Sequence, residues 1–265
     1  MTSIGNFGNN NRLRLINQNT EKLNSSFEKL SSGLRINRAK DDAAGLAVAQ
    51  QLLADGAQRS VGSRNARDGV SLAEIADGSL SQLSDINARL GELATQAANG
   101  TLSDEQRGAL NSEFQQLTQE ADRIVSTTSF NGRNVFDSST TIATGDGSQI
   151  TLTSPDVSAA LTPLLSANIS SASGAQAALE ATKSFSDSVA SKRGELGAGV
   201  SRLETAIRNN DVASENIAAA SSRIRDLDVA SETARNTGLR ILQEASTALG
   251  AQANLAARNV LRLLG

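Results

Sequence analysis

The chain of 265 residues has no His, Cys, Trp or Tyr, one Met and two Pro. Each absence removes chemistry. Without His and Cys, the usual zinc, haem and iron–sulfur sites cannot be built. Ser-His-Asp and Cys-His nucleophile systems go with them. No disulfide can form. Charge of neither sign is in large excess, with a net charge of -3. A mildly acidic chain has no surplus cations to displace counterions from phosphate, so nucleic acid is not the expected partner. No apolar run approaches the roughly 20 residues of a membrane span, so no membrane partner is expected either. The start, Met1 to Thr20, lacks the apolar stretch of a cleaved signal peptide.

What is present is helical periodicity. Leu13, Ile16, Thr20, Leu23, Phe27, Leu30 and Leu34 step alternately by three and four, as in a coiled-coil seam with one polar position. The pattern stops at Ser31-Ser32-Gly33. Arg35, Arg38 and Lys40 then precede Asp41-Asp42, a charge order that fits one helix ending and another beginning. A break is expected at about 33–42. A second helix is predicted from about 43 to 98, with a seam of Ala76, Leu83, Ile86, Leu90, Leu93 and Ala97. Asn99-Gly100-Thr101 ends it. Ser103 with Gln106 predicts a capping box for a third helix carrying Leu110, Phe114, Leu117, Ala121 and Ile124.

Residues 127–175 change character and hold both prolines, Pro155 and Pro163. Phe130-Asn131-Gly132-Arg133 reads as a tight turn. Thr140–Thr144 and Gln149–Thr153, around Gly145-Asp146-Gly147, predict one small hairpin. Asp at Gly147 is expected to be tolerated there. Helix returns over about 175–220 with Phe185, Val189, Leu196, Val200, Leu203 and Ile207. In the last stretch Leu242, Leu249, Ala256 and Leu263 are seven apart, beside Ile241, Ala245, Ala248 and Leu255. Seams at both ends suggest that the ends pair with each other.

The fold class expected is mainly α: long antiparallel helices and a terminal coiled coil, with a small β-hairpin in the middle. The expected division is 1–42 and 226–265 for the two parts of the coiled coil, and 43–225 for a helical body with its hairpin region at about 130–160. Six large apolar side chains on the first seam are few for the forty residues they must order. One lone helix pair is marginal. The ends are therefore expected to order on assembly.

No constellation of catalytic residues converges in the sequence. Gly194, Gly197 and Gly199 do not follow a strand and do not match a dinucleotide fingerprint; close helix packing is the better reading. Asp41-Asp42 are adjacent, so they do not share a helix face, and capping explains them better than acid/base work. No enzyme, cofactor or metal is expected.

The residues Lys29-Leu30-Ser31-Ser32-Gly33-Leu34-Arg35-Ile36-Asn37, followed by Ala39 to Ala47, resemble the N-terminal signature of bacterial flagellin. Further similar blocks follow in order. They include Arg64-Asn65-Ala66, Glu92-Leu93-Ala94, Asn99-Gly100-Thr101, Asp122-Arg123-Ile124, Phe130-Asn131-Gly132, Arg202-Leu203-Glu204, Ser222-Arg223-Ile224 and Ala251-Gln252-Ala253-Asn254. Three features depart from the family: no proline separates Asn254 from Val260, Gly91 stands where Arg is usual, and Asn9-Asn10-Asn11-Arg12 is more polar than usual. A hook–filament junction protein would share the terminal coiled coils, but the blocks over 64–101 and 193–228 favour flagellin.

The resemblance implies a secreted, extracellular subunit that polymerises with itself into the flagellar filament for motility. It implies unfolded type III export through the flagellar apparatus, a flagellin chaperone, and contacts with flagellar cap and hook–filament junction proteins. The inner coiled-coil assembly residues would be Leu13, Ile16, Leu23, Phe27, Leu30, Leu34, Ile241, Leu242, Leu249 and Leu263. The body would pack through Leu83, Ile86, Leu90, Phe114, Leu117, Ile124, Leu196 and Leu203. In the family a host Toll-like receptor binds a patch matched here by Arg89, Leu93 and Glu113.

Overall fold

The computed structural model describes the backbone of residues 2–264 and the side chains of residues 10–253 and 255. Its elements are α1 (Thr2–Ser32), α2 (Ala43–Ala97), α3 (Asp104–Thr127), β1 (Ser129–Phe130), β2 (Arg133–Asn134), β3 (Thr140–Ala143), β4 (Gln149–Leu152), α4 (Ser158–Leu165), α5 (Ala172–Arg225) and α6 (Val229–Leu264). They form two compact units: residues 1–54 with 216–265, and residues 55–215.

The core of the second unit is built on helical spacing. Along α2, Ala66, Gly69, Ala73, Ala76, Leu80, Leu83, Asn87, Leu90, Ala94 and Ala97 are all buried, stepping by three and four. On α5, Ala175, Ala178, Thr182, Phe185, Val189, Leu196, Gly199 and Leu203 follow the same rhythm. Phe114, Ala121, Ile124 and Val125 of α3 join this cluster. Asn87 is the polar member of the α2 row. Its Nδ2 donates to the Thr182 carbonyl at 2.9 Å, and its Oδ1 has no partner among the described residues.

The caps follow local chemistry. Ser103 accepts from the Gln106 backbone and Gln106 reaches back to the Ser103 N–H, the expected capping box. Arg107 is buried and closes the end of the previous helix. Its Nε donates to the Ala97 carbonyl at 2.9 Å and its Nη2 to the Asn99 carbonyl at 3.0 Å. The last carbonyl of α2 and that of Asn99 in the following turn thus both meet a cation.

Among the described residues there are two antiparallel hairpins, where one hairpin and a separate tight turn at 130–133 were expected. In β1–β2, Asn131 (φ 50°) and Gly132 (φ 78°) occupy the turn. Two positive φ values mark the type I′ geometry that matches strand twist. In β3–β4, Ile142, Ile150 and Leu152 face inward, while Thr141 and Thr151 point out. The short α4 was not expected. Its Leu161 and Leu164 are buried in the same core, and burial forms this helix despite Pro163.

The first unit is tied at its loops. Gly33 (φ 70°) ends α1 in the left-handed region that favours glycine. The Arg35 N–H then donates to the Arg225 carbonyl at 2.7 Å, and the Leu227 N–H to the Gly33 carbonyl at 3.0 Å. Glu28 accepts from Asn37 at 3.0 Å and from Arg38 at 2.6 Å. Asp42 accepts from the Gly45 N–H at 2.8 Å and caps α2. Asp41 holds the Asn37 and Arg38 N–H groups instead, and the bond from Arg38 leads in lowering its pKa.

Candidate assembly surfaces

Helices α1 and α6 run antiparallel. Leu34 bridges to Asp226, the Asn236 Nδ2 donates to Ser26 Oγ at 3.2 Å, and the Gln243 Nε2 donates to Thr20 Oγ1 at 3.5 Å. The half-buried or buried positions of α1 include Ile16, Thr20, Leu23, Ser26 and Leu30, and half-buried Leu34 follows just beyond its end. On α6 they are Glu232, Asn236, Leu239, Gln243, Ser246, Gly250 and Ala253. These seven again step by four and three, so they form one face. It is mostly polar or small.

The large apolar side chains of α6 lie elsewhere. Leu242 is 54% exposed, Leu249 62%, Ile241 61% and Leu255 60%. At about 100° per residue, Leu242 and Leu249 flank the inner face and Ile241 and Leu255 lie behind it. Leu13, Leu15 and Phe27 are likewise exposed on α1. The helix pair thus holds together through a modest mixed interface and leaves its most apolar residues uncovered, an exposed apolar surface of the kind that marks interaction sites.

The expected inner assembly set is therefore divided. Ile16, Leu23, Leu30 and Leu34 are half-buried, whereas Leu13, Phe27, Ile241, Leu242 and Leu249 are exposed. The Leu263 side chain lies outside the described residues. Apolarity alone selects the heptad of Leu242 and Leu249. The heptad that faces α1, Glu232, Leu239, Ser246 and Ala253, carries too little hydrophobic signal to be found. The polar pair Asn236 and Ser26 could have been found only as seam residues that need a partner.

In the second unit the expected packing residues come together. Leu83, Leu90, Phe114, Ile124, Leu196 and Leu203 are buried in one cluster, and Ile86 and Leu117 pack against it half-buried. Of the three clustered glycines, only Gly199 makes a close approach, to Leu152; the positions of Gly194 and Gly197 open to free space.

Arg89 and Glu113 face each other across α2 and α3. The Arg89 Nη2 and Nε reach Glu113 Oε1 at 2.8 and 3.1 Å, and its Nη1 reaches Glu92 at 2.9 Å. Bonds to Glu113 first, and to Glu92 next, raise the guanidinium pKa above its ordinary value. Leu93, expected beside Arg89 on one accessible face, is 1% exposed and belongs to the core.

The β3–β4 hairpin is clamped by both long helices. Asn65 donates to the Ala143 carbonyl at 3.2 Å, and Asn210 to that of Thr144 at 2.6 Å. Arg59 holds the Asn210 Oδ1 at 3.3 Å. A side chain at Gly62 would strike the Thr144 carbonyl, so only glycine lets the hairpin sit this close. At the tip, Asp146 accepts from Ser148 Oγ at 2.5 Å, Thr144 Oγ1 at 2.7 Å and the Ser148 N–H at 3.0 Å. These bonds, the Ser148 hydroxyl first, lower its pKa to about 2. Gly147 has φ 83°, so Asp there would be strained, contrary to the expected tolerance.

Among the described residues no cluster of three or more His, Cys, Asp or Glu could hold a metal, and no helix is long and apolar enough to cross a membrane.

Comparison with known proteins fits this arrangement. Residues 5–141 match the bacterial flagellin N-terminal helical region, and residues 179–264 match the bacterial flagellin C-terminal helical region. A flagellin of Halalkalibacterium halodurans is 42% identical over 246 residues, covering 90% of this chain and 90% of that protein. A flagellar filament 31.3 kDa core protein of Treponema maltophilum is 37% identical over 259 residues, covering 90% of this chain and 91% of that protein. The crystal structure of Bacillus cereus flagellin aligns with a TM-score of 0.52 at 29% identity, covering 56% of this chain and 88% of that one.

Proposed function

The chain belongs to the bacterial flagellin family, and from that premise we propose how its surfaces serve assembly. It is a structural subunit of the extracellular flagellar filament, polymerises with itself, and is not an enzyme. Residues 1–42 and 226–265 form the inner coiled-coil layer, and residues 43–225 form the body of the tube. The observation that carries this reading is the uncovered apolar surface of α6, with Leu242 and Leu249 more than half exposed beside the face that meets α1. Neighbouring copies cover that surface in the filament. Leu13, Phe27 and Ile241 contribute to the same contacts, while Ile16, Leu23, Leu30 and Leu34 hold the pair together. The helix pair is too thinly packed to be firm alone, so the subunit is exported unfolded and its ends order on assembly.

Deleting residues 226–265 tests the division of labour. The truncated chain should keep a helical body by circular dichroism and should not pellet as polymer. Normal filaments from it would refute the assignment.

The same reading extends to partners. The export apparatus and a flagellin chaperone handle the chain before assembly, and cap and hook–filament junction proteins meet its ends. A host Toll-like receptor recognises the exposed Arg89–Glu113 pair, with Leu93 supporting it from below. Monomer should activate a receptor reporter cell and Arg89→Asp should lose the signal; equal signals from both would remove the patch.

A further inference from the structure

We propose that Asn99 is a site of spontaneous deamidation, and that in the folded protein it converts ahead of Asn131. Asn99-Gly100 and Asn131-Gly132 are the two Asn-Gly pairs of the chain. Glycine after asparagine removes the Cβ that would shield the attacking nitrogen. Sequence alone makes the two sites equal; their surroundings do not.

At Asn99 the side-chain Oδ1 accepts the Thr101 N–H at 3.1 Å. This bond closes a ring that contains the Gly100 nitrogen and polarises the carboxamide carbon that nitrogen must attack. The Gly100 N–H has no hydrogen-bond partner among the described residues, and open space surrounds its Cα. Asn99, Gly100 and Thr101 are all exposed, so water reaches the site.

Asn131 differs. It sits at φ 50° in a two-residue turn, with Phe130 paired to Arg133 and Ser129 to Asn134. Asn134 pins the hairpin further, donating to the Val125 carbonyl at 2.8 Å and the Ser126 carbonyl at 3.0 Å. Ring closure at Asn131 has to turn its backbone out of the left-handed well that those bonds hold.

The chemistry balances with water as the sole co-reactant. The Gly100 nitrogen attacks Asn99 Cγ and forms an N–Cγ bond. The Cγ–Nδ2 bond breaks, and the amide proton leaves with that nitrogen as ammonia. Water opens the resulting succinimide at either carbonyl, giving aspartate or isoaspartate; nothing is oxidised or reduced. The product places a carboxylate at the C-terminal end of α2, where the helix dipole disfavours it. The isoaspartyl form also lengthens the main chain at the carbonyl that Arg107 holds.

Peptide mapping by mass spectrometry of the full chain, aged in mildly alkaline buffer, tests this. In native protein the peptide from Leu90 to Arg107 should convert about tenfold faster than that from Ile124 to Arg133, the handicap of breaking hairpin hydrogen bonds. In urea the two rates should converge. Thr101→Pro removes the polarising N–H and should slow native conversion at Asn99, whereas Thr101→Val keeps it and should not. Equal native rates at the two sites, or an unchanged rate in T101P, would overturn the proposal.

Discussion

Asn210 on α5 donates to the carbonyl of Thr144 at 2.6 Å, and both residues are buried. This buried amide therefore holds the tip of the β3–β4 hairpin from the α5 side, as Asn65 holds it from α2. Asn210→Ala would leave the Thr144 carbonyl unpaired and release Arg59. A buried acceptor without a partner costs about 1–3 kcal/mol. The expected result is a lower urea midpoint of that size, together with faster amide exchange at Ile142 and Ile150. Unchanged exchange in the hairpin would mean that Gly62 and the apolar side chains suffice to dock it.

Arg107 invites a parallel test. Its side chain bonds the Ala97 carbonyl at the end of α2 and the Asn99 carbonyl in the following turn, and meets Asp104 at 3.2 Å. The Asp104 contact is exposed on the acid's side and counts for little. The carbonyl bonds are the stabilising part, so Arg107→Met should cost about 2–3 kcal/mol and Asp104→Ala much less. Urea unfolding of the two variants separates these contributions; equal losses would reverse the ranking.

Asp146 gives a pH signature. Its pKa is lowered from 3.8 to about 2 by bonds to Ser148 and Thr144. A carboxylate with a depressed folded pKa stabilises the native state above the unfolded value, and that stability is lost as pH falls through the folded value. The hairpin tip should therefore be firm at pH 4 and loosen towards about pH 2. Asp146→Asn should show no such step. An NMR titration of Asp146 with its midpoint near 3.8 would mean that the hydroxyl bonds do not persist in solution.

Much of this was readable in the residues, where local chemistry decides. Ser103 with Gln106 specifies a cap, Asn131-Gly132 a turn and Gly33 a helix end, because each depends on a few neighbouring atoms. The second-unit core was legible because Leu83, Leu90, Phe114, Leu196 and Leu203 repeat at helical spacing. Helix α4 was not: Val157 offers no side-chain cap, and Pro163 reads as a breaker. Only burial of Leu161 and Leu164, made by distant segments, forms it. The facing of α6 was hidden for another reason. Two heptads interleave on that helix, and the more apolar one, with Leu242 and Leu249, lies beside the face that meets α1 rather than on it. Arg89 and Leu93 show the same limit, since spacing by four places two residues on adjoining turns without saying that one of them is inside.

The α6 surface yields the most direct prediction. Leu249 is 62% exposed and Leu242 54% exposed in the isolated subunit. Asp at either position should leave the monomer's helicity and thermal midpoint nearly unchanged, because surface changes away from special features usually shift stability by less than about 0.5 kcal/mol. In the filament the same side chain meets a covered, apolar surface. An unpaired carboxylate there is strongly disfavoured. Leu242→Asp and Leu249→Asp should therefore fold normally and fail to polymerise, seen as protein left in the supernatant after seeding and as loss of motility. Leu30→Asp should behave differently. Leu30 is half-buried on the face of α1 turned to α6, so it should weaken the helix pair in the monomer as well as assembly. The comparison is decisive because the three substitutions are the same in chemistry and differ only in which face they occupy. Full-length filaments from Leu249→Asp would show that this surface stays open to water in the polymer. A monomer destabilised by Leu249→Asp as much as by Leu30→Asp would show that both leucines belong to the intramolecular seam.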